Sequence, residues 1–308
     1  MISASRVVLP CTIVLALCCM ANPVDAQSAD SATSQTSRAE TQTTCQGGPT
    51  IEPDQQIAAC TSVIEQGAGS PDNLAIAHNN RGNGLARKGE VGQALQDYAR
   101  AVELRPDYLT ALNNRAVLYF RSGEFDRSIG ELDQILKIAP DNMRALVSRA
   151  QSYSAKQEYE RALADYTEAL KVEPNRAKEL KLDPNRAREL KLEPSRANLL
   201  NARCWHRAVV GDLQAALADC NEALKLEPNT ATNFDSRAFT YLKLNKLNEA
   251  ITDYSTALRL NPKLASALYG RSLARQKRGL AAQAKSDLVA AQAINPGIVA
   301  EFARYRIP

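Results

Sequence analysis

The amino-acid sequence predicts an all-α protein, a solenoid of antiparallel helix pairs, on three observations. Alanine and leucine dominate a chain of 308 residues whose aromatic content is only 5%, a composition that favours helices. Pro106, Pro140, Pro174, Pro228, Pro262 and Pro296 close successive units, and four of the five spacings are 34 residues, a period typical of stacked arrays. Within the unit Met143 to Pro174, Leu146, Ala150 and Tyr153 fall at positions 4, 8 and 11, and Ala162, Tyr166 and Ala169 at positions 20, 24 and 27. Both sets have helical spacing, on either side of a break near Gln157.

Residues 1–26 read as a secretory signal peptide. Arg6 precedes an apolar run from Val7 to Ala21, interrupted by Pro10, and Val24-Asp25-Ala26 places small residues at both specificity positions of a cleavage site. A run of about 15 residues is short for a membrane span, which needs roughly 20. Retention as an anchor and lipid attachment at Cys18 or Cys19 are the alternatives, although Leu17 and Cys18 are poor residues before a lipidated cysteine. Residues 27–50, rich in Ser, Thr and Gln with no apolar period, are expected to form a disordered linker.

Residues 51–70 form a half repeat. Asp54 is placed to cap a helix through Ile57, Cys60, Val63 and Ile64 that stops at Gly67. Ser70-Pro71 then starts the first full unit, Ser as cap and Pro in the first turn, where a missing N–H costs nothing. Residues 71–174 carry repeats 1 to 3 and residues 195–296 carry repeats 4 to 6. Between them, residues 175–194 hold two copies of a decamer, NRAKELKLDP and NRARELKLEP. Prolines ten apart disfavour one long helix, so two short helical segments are expected to bulge from the array. They are either a slipped duplication or a spacer that re-aims the two halves.

Small residues at position 8 (Gly82, Ala116, Ala150, Cys204, Ala238, Ser272) and position 20 (Ala94, Ser128, Ala162, Ala216, Ala250, Ala284) let paired helices approach closely. Larger groups at positions 4 and 24 fill the space beside them. One hairpin cannot bury its apolar face alone, so the array needs neighbours and end caps. Residues 297–308, with Ile298, Phe302 and Tyr305 at helical spacing, are expected to supply the C-terminal capping helix.

These residues carry a family resemblance. From about Asn73 to Pro296 the pattern closely resembles tetratricopeptide repeats, six units in the full 34-residue register, with a half unit before and a helix after. His78 at position 4, and Arg207 and Arg275 at position 11, depart from the usual residues. The resemblance implies a right-handed superhelix whose first helices line a concave groove, and a role in binding other proteins. The signal peptide, the IAAC half repeat and the ending EFARYRIP are also similar to exported repeat proteins of Gram-negative bacteria, which implies an exported, most often periplasmic, location.

Two charged positions recur in every repeat. Arginine occupies position 7 (Arg81, Arg115, Arg149, Arg203, Arg237, Arg271), and an acid occupies position 23 (Asp97, Glu131, Asp165, Asp219, Asp253, Asp287). Such regularity points to a ladder of partly buried ion pairs, within a repeat or between neighbours, in which the planar arginine fork sets register. Arginines turned to a ligand are the alternative. Four cysteines remain outside the signal, an even number suited to an oxidising compartment. Cys45 pairs naturally with Cys60 upstream of the array, and Cys204 with Cys220 across one hairpin; buried free thiols are the alternative for the second pair.

Catalysis finds no foothold in the sequence. His78 and His206 lie in different repeats, and no metal-ligand spacing, glycine-rich phosphate loop or nucleophile elbow occurs, so no metal, cofactor or enzymatic activity is expected. A net charge of +4 spread over helices that carry nearly as many acids, without a basic stripe interleaved with aromatics, argues against nucleic acid.

Binding is the better lead. The resemblance implies that positions 2, 5, 9 and 12 face the groove, with 6 and 13 at its border. The N-terminal repeats place Asn79, Asn80, Asn83, Arg87, Asn113, Asn114 and Arg121 there, suited to a peptide backbone and a carboxylate. The C-terminal repeats place Trp205, Phe239 and Tyr269 there, joined by Phe120, either as binding anchors or packed on the following repeat. The expected function is a scaffold in the cell envelope that binds an extended segment of another protein. Self-association into a homo-oligomer and binding of a cell-wall carbohydrate on the aromatic half are the other classes.

Overall fold

The computed structural model describes residues 39–67, 69–179 and 195–307, and among these residues fifteen helices and no strands occur. A short helix α1 (residues 39–46) and α2 (Pro53–Glu65) precede the array. Six antiparallel pairs follow: α3 (Pro71–Lys88) with α4 (Val91–Leu104), α5 (Leu109–Arg121) with α6 (Phe125–Ile138), and α7 (Met143–Ala155) with α8 (Tyr159–Glu179), then α9 (Arg196–Val210) with α10 (Leu213–Leu226), α11 (Ala231–Lys243) with α12 (Leu247–Leu260), and α13 (Ala265–Lys277) with α14 (Ala281–Ile294). Helix α15 (Ile298–Ala303) closes the chain. The expected signal peptide and most of the decamers lie outside the described residues.

The small residues at positions 8 and 20 are all buried, and positions 24 from Tyr98 to Tyr254 are buried beside them. Each second helix packs on its own first helix and on the helix that follows it, so no repeat buries its apolar face alone. The turn inside each repeat has a fixed conformation. Position 15 is left-handed in all six, with glycine at Gly89, Gly123, Gly211 and Gly279 but Gln157 and Asn245 in repeats 3 and 5. Residues with a Cβ resist this region, which is why glycine dominates there.

Four expectations need correction. Part of the linker expected over residues 27–50 is a helix, α1, because Cys45 anchors it against α2; residues 27–38 lie outside the described residues. The cap of α2 is Glu52, with Asp54 in the first turn. Helix α8 runs through Pro174 to Glu179 instead of stopping before it. Its proline lacks one ladder bond, but the residues after it include good helix formers, and these carry the helix onward. Finally, the C-terminal segment does not cover the outer side of α14, where Val289 is 59% and Ile294 45% exposed. It turns instead onto the first helices.

The insertion leaves the stack intact. Leu199 and Leu200 of α9 share one buried cluster with Tyr166, Ala169 and Leu170 of α8. Repeat 4 therefore packs directly on repeat 3 despite the insertion.

Candidate functional site

The first helices α3, α5 and α7 lie side by side, as do α9, α11 and α13, and the residues expected to line the groove lie on these helices. The ion pairs run beneath this face. Arg81, Arg149, Arg203, Arg237 and Arg271 each donate two hydrogen bonds, from Nε and Nη2, to both oxygens of the acid sixteen residues on, at 2.6–3.0 Å. Arg115 makes a single 2.7 Å bond to Glu131. The third nitrogen reaches back to position 25 of the preceding repeat in four cases: Thr61, Asp133, Asn221 and Ser255. The ladder thus links repeats as well as helices. Arg207 and Arg275, the departures at position 11, add a further bond to Asp219 and Asp287. Burial alone would raise the Asp97 carboxyl, but hydrogen bonds from Arg81 and His78 hold it below its ordinary range. Five of the six forks are thus occupied by a carboxylate, whereas Arg115 keeps its buried Nε without a partner.

The polar half of the face is largely spoken for. Asn114 donates to Asn79 Oδ1 at 2.9 Å and to Asn83 Oδ1 at 3.0 Å, Asn83 also accepts from the Tyr98 hydroxyl, and buried Asn79 donates to Asn80. Arg87 reaches Gln56 and the Ile51 carbonyl, clamping the N-terminal helix instead of awaiting a carboxylate. Asn80 borders an open cleft with Gln42, Gln46, Val63 and Asn73. Asn113 is half-buried and Arg121 exposed. Phe120 packs on Phe125 across its own turn, with ring centroids 5.5 Å apart, and joins no aromatic group of the later repeats.

The aromatic half is covered. Phe239 is only 3% exposed, and Trp205 and Tyr269 are half-buried, because the C-terminal segment lies across them. Phe302 meets Tyr269 edge-on at 5.0 Å and Phe239 at 6.1 Å. Tyr305 meets Phe239, Trp205 and, in repeat 3, Tyr159 at 5.7, 5.2 and 6.4 Å. Lys243 Nζ donates to the Tyr305 carbonyl at 3.0 Å and to the Val209 carbonyl at 3.1 Å. Of the two expectations for these rings, open anchors or packing on the following repeat, Trp205 meets the second by stacking on Phe239, and the tail expected as an end cap covers the rings as well. Lys243 at position 13 and Tyr159 were missed. The one available signal was Phe302 and Tyr305, two aromatic residues three apart after Pro296-Gly297.

Burial perturbs ionisable groups here, among them Asp235 and His206. Asp235, at position 5, accepts from Ser266 at 2.7 Å, and burial pushes its carboxyl up to about 7, with Glu301 of the tail adding to the rise. His206 lies between repeats 3 and 4, its Nδ1 donating to the Ala202 carbonyl and its Nε2 bonded to the Ser154 hydroxyl; burial pulls it down to about 4. It is a packing residue held neutral. The cysteines stand in two pairs at disulfide distance, Cys45 with Cys60 and Cys204 with Cys220, with Cα separations of 4.7 and 5.4 Å. No group of His, Cys, Asp and Glu among the described residues could hold a metal, and no described helix is long and apolar enough to cross a membrane.

Comparison with known proteins agrees with this architecture. Family models described as TPR repeat and tetratricopeptide repeat match residues 79–142, 144–176 and 238–279. A tetratricopeptide repeat protein from Parabacteroides merdae is 19% identical, covers 82% of this chain and 91% of its own, and superposes with a TM-score of 0.59. PilW, a type IV pilus biogenesis factor, is 16% identical over 74% of this chain and 98% of its own, with a TM-score of 0.57. Pseudomonas aeruginosa PilF is 18% identical over 76% and 98%, with a TM-score of 0.54. At these identities the likeness concerns the fold. No curated protein matches the chain in sequence. Proteins built from this repeat generally serve as non-catalytic scaffolds for other proteins. With three matching repeat models and a solenoid of the same helix pairs, the chain is a member of the tetratricopeptide-repeat family.

Proposed function

We propose that the chain is an exported scaffold of the cell envelope that holds an extended segment of another protein against the first helices of repeats 4 to 6. One observation carries the reading: that face already holds a peptide segment, residues 298–307, through aromatic rings and a lysine bond to a backbone carbonyl. Rings give contact area and the backbone bond gives register, the combination by which grooves hold peptides. Two cysteine pairs at disulfide distance support an oxidising compartment, and the N-terminal pattern of residues 1–26 supports export. Capture of partners from envelope extract tests the reading. Trp205→Ala and Phe239→Ala should each lose the partner recovered by the wild type, while Asn113→Ala on the other half should keep it; equal recovery by all three removes the groove as the binding site.

Self-association has its own support in the uncovered side of α14, where Val289 and Ile294 stand in solvent. Light scattering after size exclusion would show a concentration-dependent oligomer lost in Val289→Asp, and a monomer at all concentrations removes this reading. Carbohydrate binding finds no open aromatic platform, since the rings of the C-terminal half pack on one another.

A further inference from the structure

The segment on the repeat 4 to 6 face is well matched in shape and poorly matched in charge. Its rings and the Tyr305 carbonyl are engaged. Burial is the main cause that raises the Asp235 carboxyl and lowers the Lys243 amine, and the tail adds to both shifts, Glu301 to the first and Arg306, which follows the carbonyl that Lys243 bonds at 3.0 Å, to the second. Both are like-charge juxtapositions between the tail and the face, an arrangement that selects against a ligand. Glu301 is otherwise satisfied, accepting from Asn295 Nδ2 and the Tyr305 hydroxyl. Arg306 is exposed and holds a φ of 47°, a region that residues with a Cβ seldom adopt. Only Asn295-Pro296-Gly297 separates the tail from α14. So short a tether gives a high effective concentration, and a weak ligand then suffices to fill the face.

We propose that residues 298–307 are a built-in competitor for this face, and that the partner segment displacing them carries two aromatic residues three apart, an uncharged hydrogen-bonding residue directly before the first, and an acidic residue directly after the second. This rests on the proposed function above. An uncharged residue at the Glu301 position removes the conflict with Asp235 while keeping the hydrogen bonds. An acid at the Arg306 position pairs with Lys243. A partner in trans lacks the advantage of the tether and must bind better residue for residue; these two changes are where the tail leaves room for improvement.

The test uses fluorescein-labelled peptides of residues 297–308, one native and one carrying E301Q and R306E, titrated by anisotropy into three full-length proteins: wild type, F302A/Y305A and E301Q/R306E. Relief of two partly exposed charge conflicts should make the altered peptide bind wild type about tenfold tighter than the native peptide. F302A/Y305A, whose tail has lost its anchors, should bind both peptides more tightly than wild type does. E301Q/R306E, whose tail fits better, should bind both more weakly. If circular dichroism shows that F302A/Y305A is unfolded, the wild type and E301Q/R306E carry the comparison. Equal affinity of the two peptides, or an E301Q/R306E protein that binds as well as wild type, overturns the proposal. If neither peptide binds any of the proteins while Trp205→Ala still loses its partner from envelope extract, this inference fails and the proposed function stands. If that recovery is also unchanged, both fail.

Discussion

Replacing Arg149 by methionine should destabilise the protein more than replacing Arg149 and Asp165 together. Both oxygens of Asp165 are bonded by Arg149, at 2.9 and 2.7 Å, and its side chain is only 7% exposed. Methionine in place of arginine preserves the apolar stem but strands that carboxylate. Stranding a fully buried charge costs roughly 3–5 kcal/mol. Arg149 itself is 22% exposed, so water reaches the site in part, and a cost of about 2–4 kcal/mol follows. The lost contact with Asp133, a carboxylate 43% exposed, adds at most about 1 kcal/mol. In R149M/D165L no charge is stranded, and the variant should recover about half the loss. Repeat 2 supplies an internal control: Arg115 makes one bond to Glu131, both side chains are 15% exposed, and R115M should cost less than R149M. Urea unfolding followed by circular dichroism, with fluorescence of the single tryptophan, Trp205, as a second probe, measures all four proteins. Equal midpoints for R149M and the double variant, or a larger loss in R115M, would refute the ladder as a set of buried paired charges.

Other perturbations have definite signs. Gln157→Gly should raise stability by about 0.5–1 kcal/mol, because the residue holds a φ of 65° where four sibling repeats have glycine; a lower melting temperature would contradict this. Gly270→Ala should cost about 1–3 kcal/mol, since a Cβ there would collide with the fully buried Tyr254 ring, whereas Gly130→Ala, with open space around it in α6, should gain up to about 1 kcal/mol. The Asp235 carboxyl has its pKa raised in the folded state from 3.8 to about 7, so its contribution is fully present at low pH and is lost as pH rises to about 7. Between pH 5 and 8 this amounts to at most about 3 kcal/mol, and D235N should remove that fall; an unchanged pH slope in D235N sinks the assignment. His206 acts in the opposite sense, since its lowered pKa costs stability as pH falls from about 6.5 towards 4, so H206Q should flatten the acid side alone. Removing residues 175–194 restores the 34-residue spacing and should leave the melting temperature within a degree or two, because α8 and α9 already pack directly.

The array was legible because its signals are local and repeated. Ala162 facing Ala150 and Arg149 sixteen residues before Asp165 recur in each unit, so each sibling is an independent reading of the same geometry. The left-handed turn at position 15 was equally present, in Gly89, Gly123, Gly211 and Gly279, but Gln157 and Asn245 concealed it. The candidate site was read less well. Asn79, Asn83 and Asn114 occupy groove positions, yet adjacent amides on α3 and α5 satisfy one another, which no single repeat reveals. Phe239 also stands where the register places a groove residue, but its exposure depends on a segment more than sixty residues away.

By itself, the sequence determined the helices and their pairing, and it marked the arginines and acids that recur, because each depends on a spacing repeated from unit to unit; the structure decided that each acid is held by the arginine of its own repeat and that Cys204 meets Cys220. Only the tertiary structure decided that repeat 4 stacks on repeat 3 across the insertion, and that the tail lies on Trp205, Phe239 and Tyr269 and leaves the outer side of α14 bare. The physical reason is that a period encodes how a chain meets its own next turn, whereas a terminal segment released from the period docks wherever apolar surface and free carbonyl partners are left, and Lys243 with its neighbouring rings offers both.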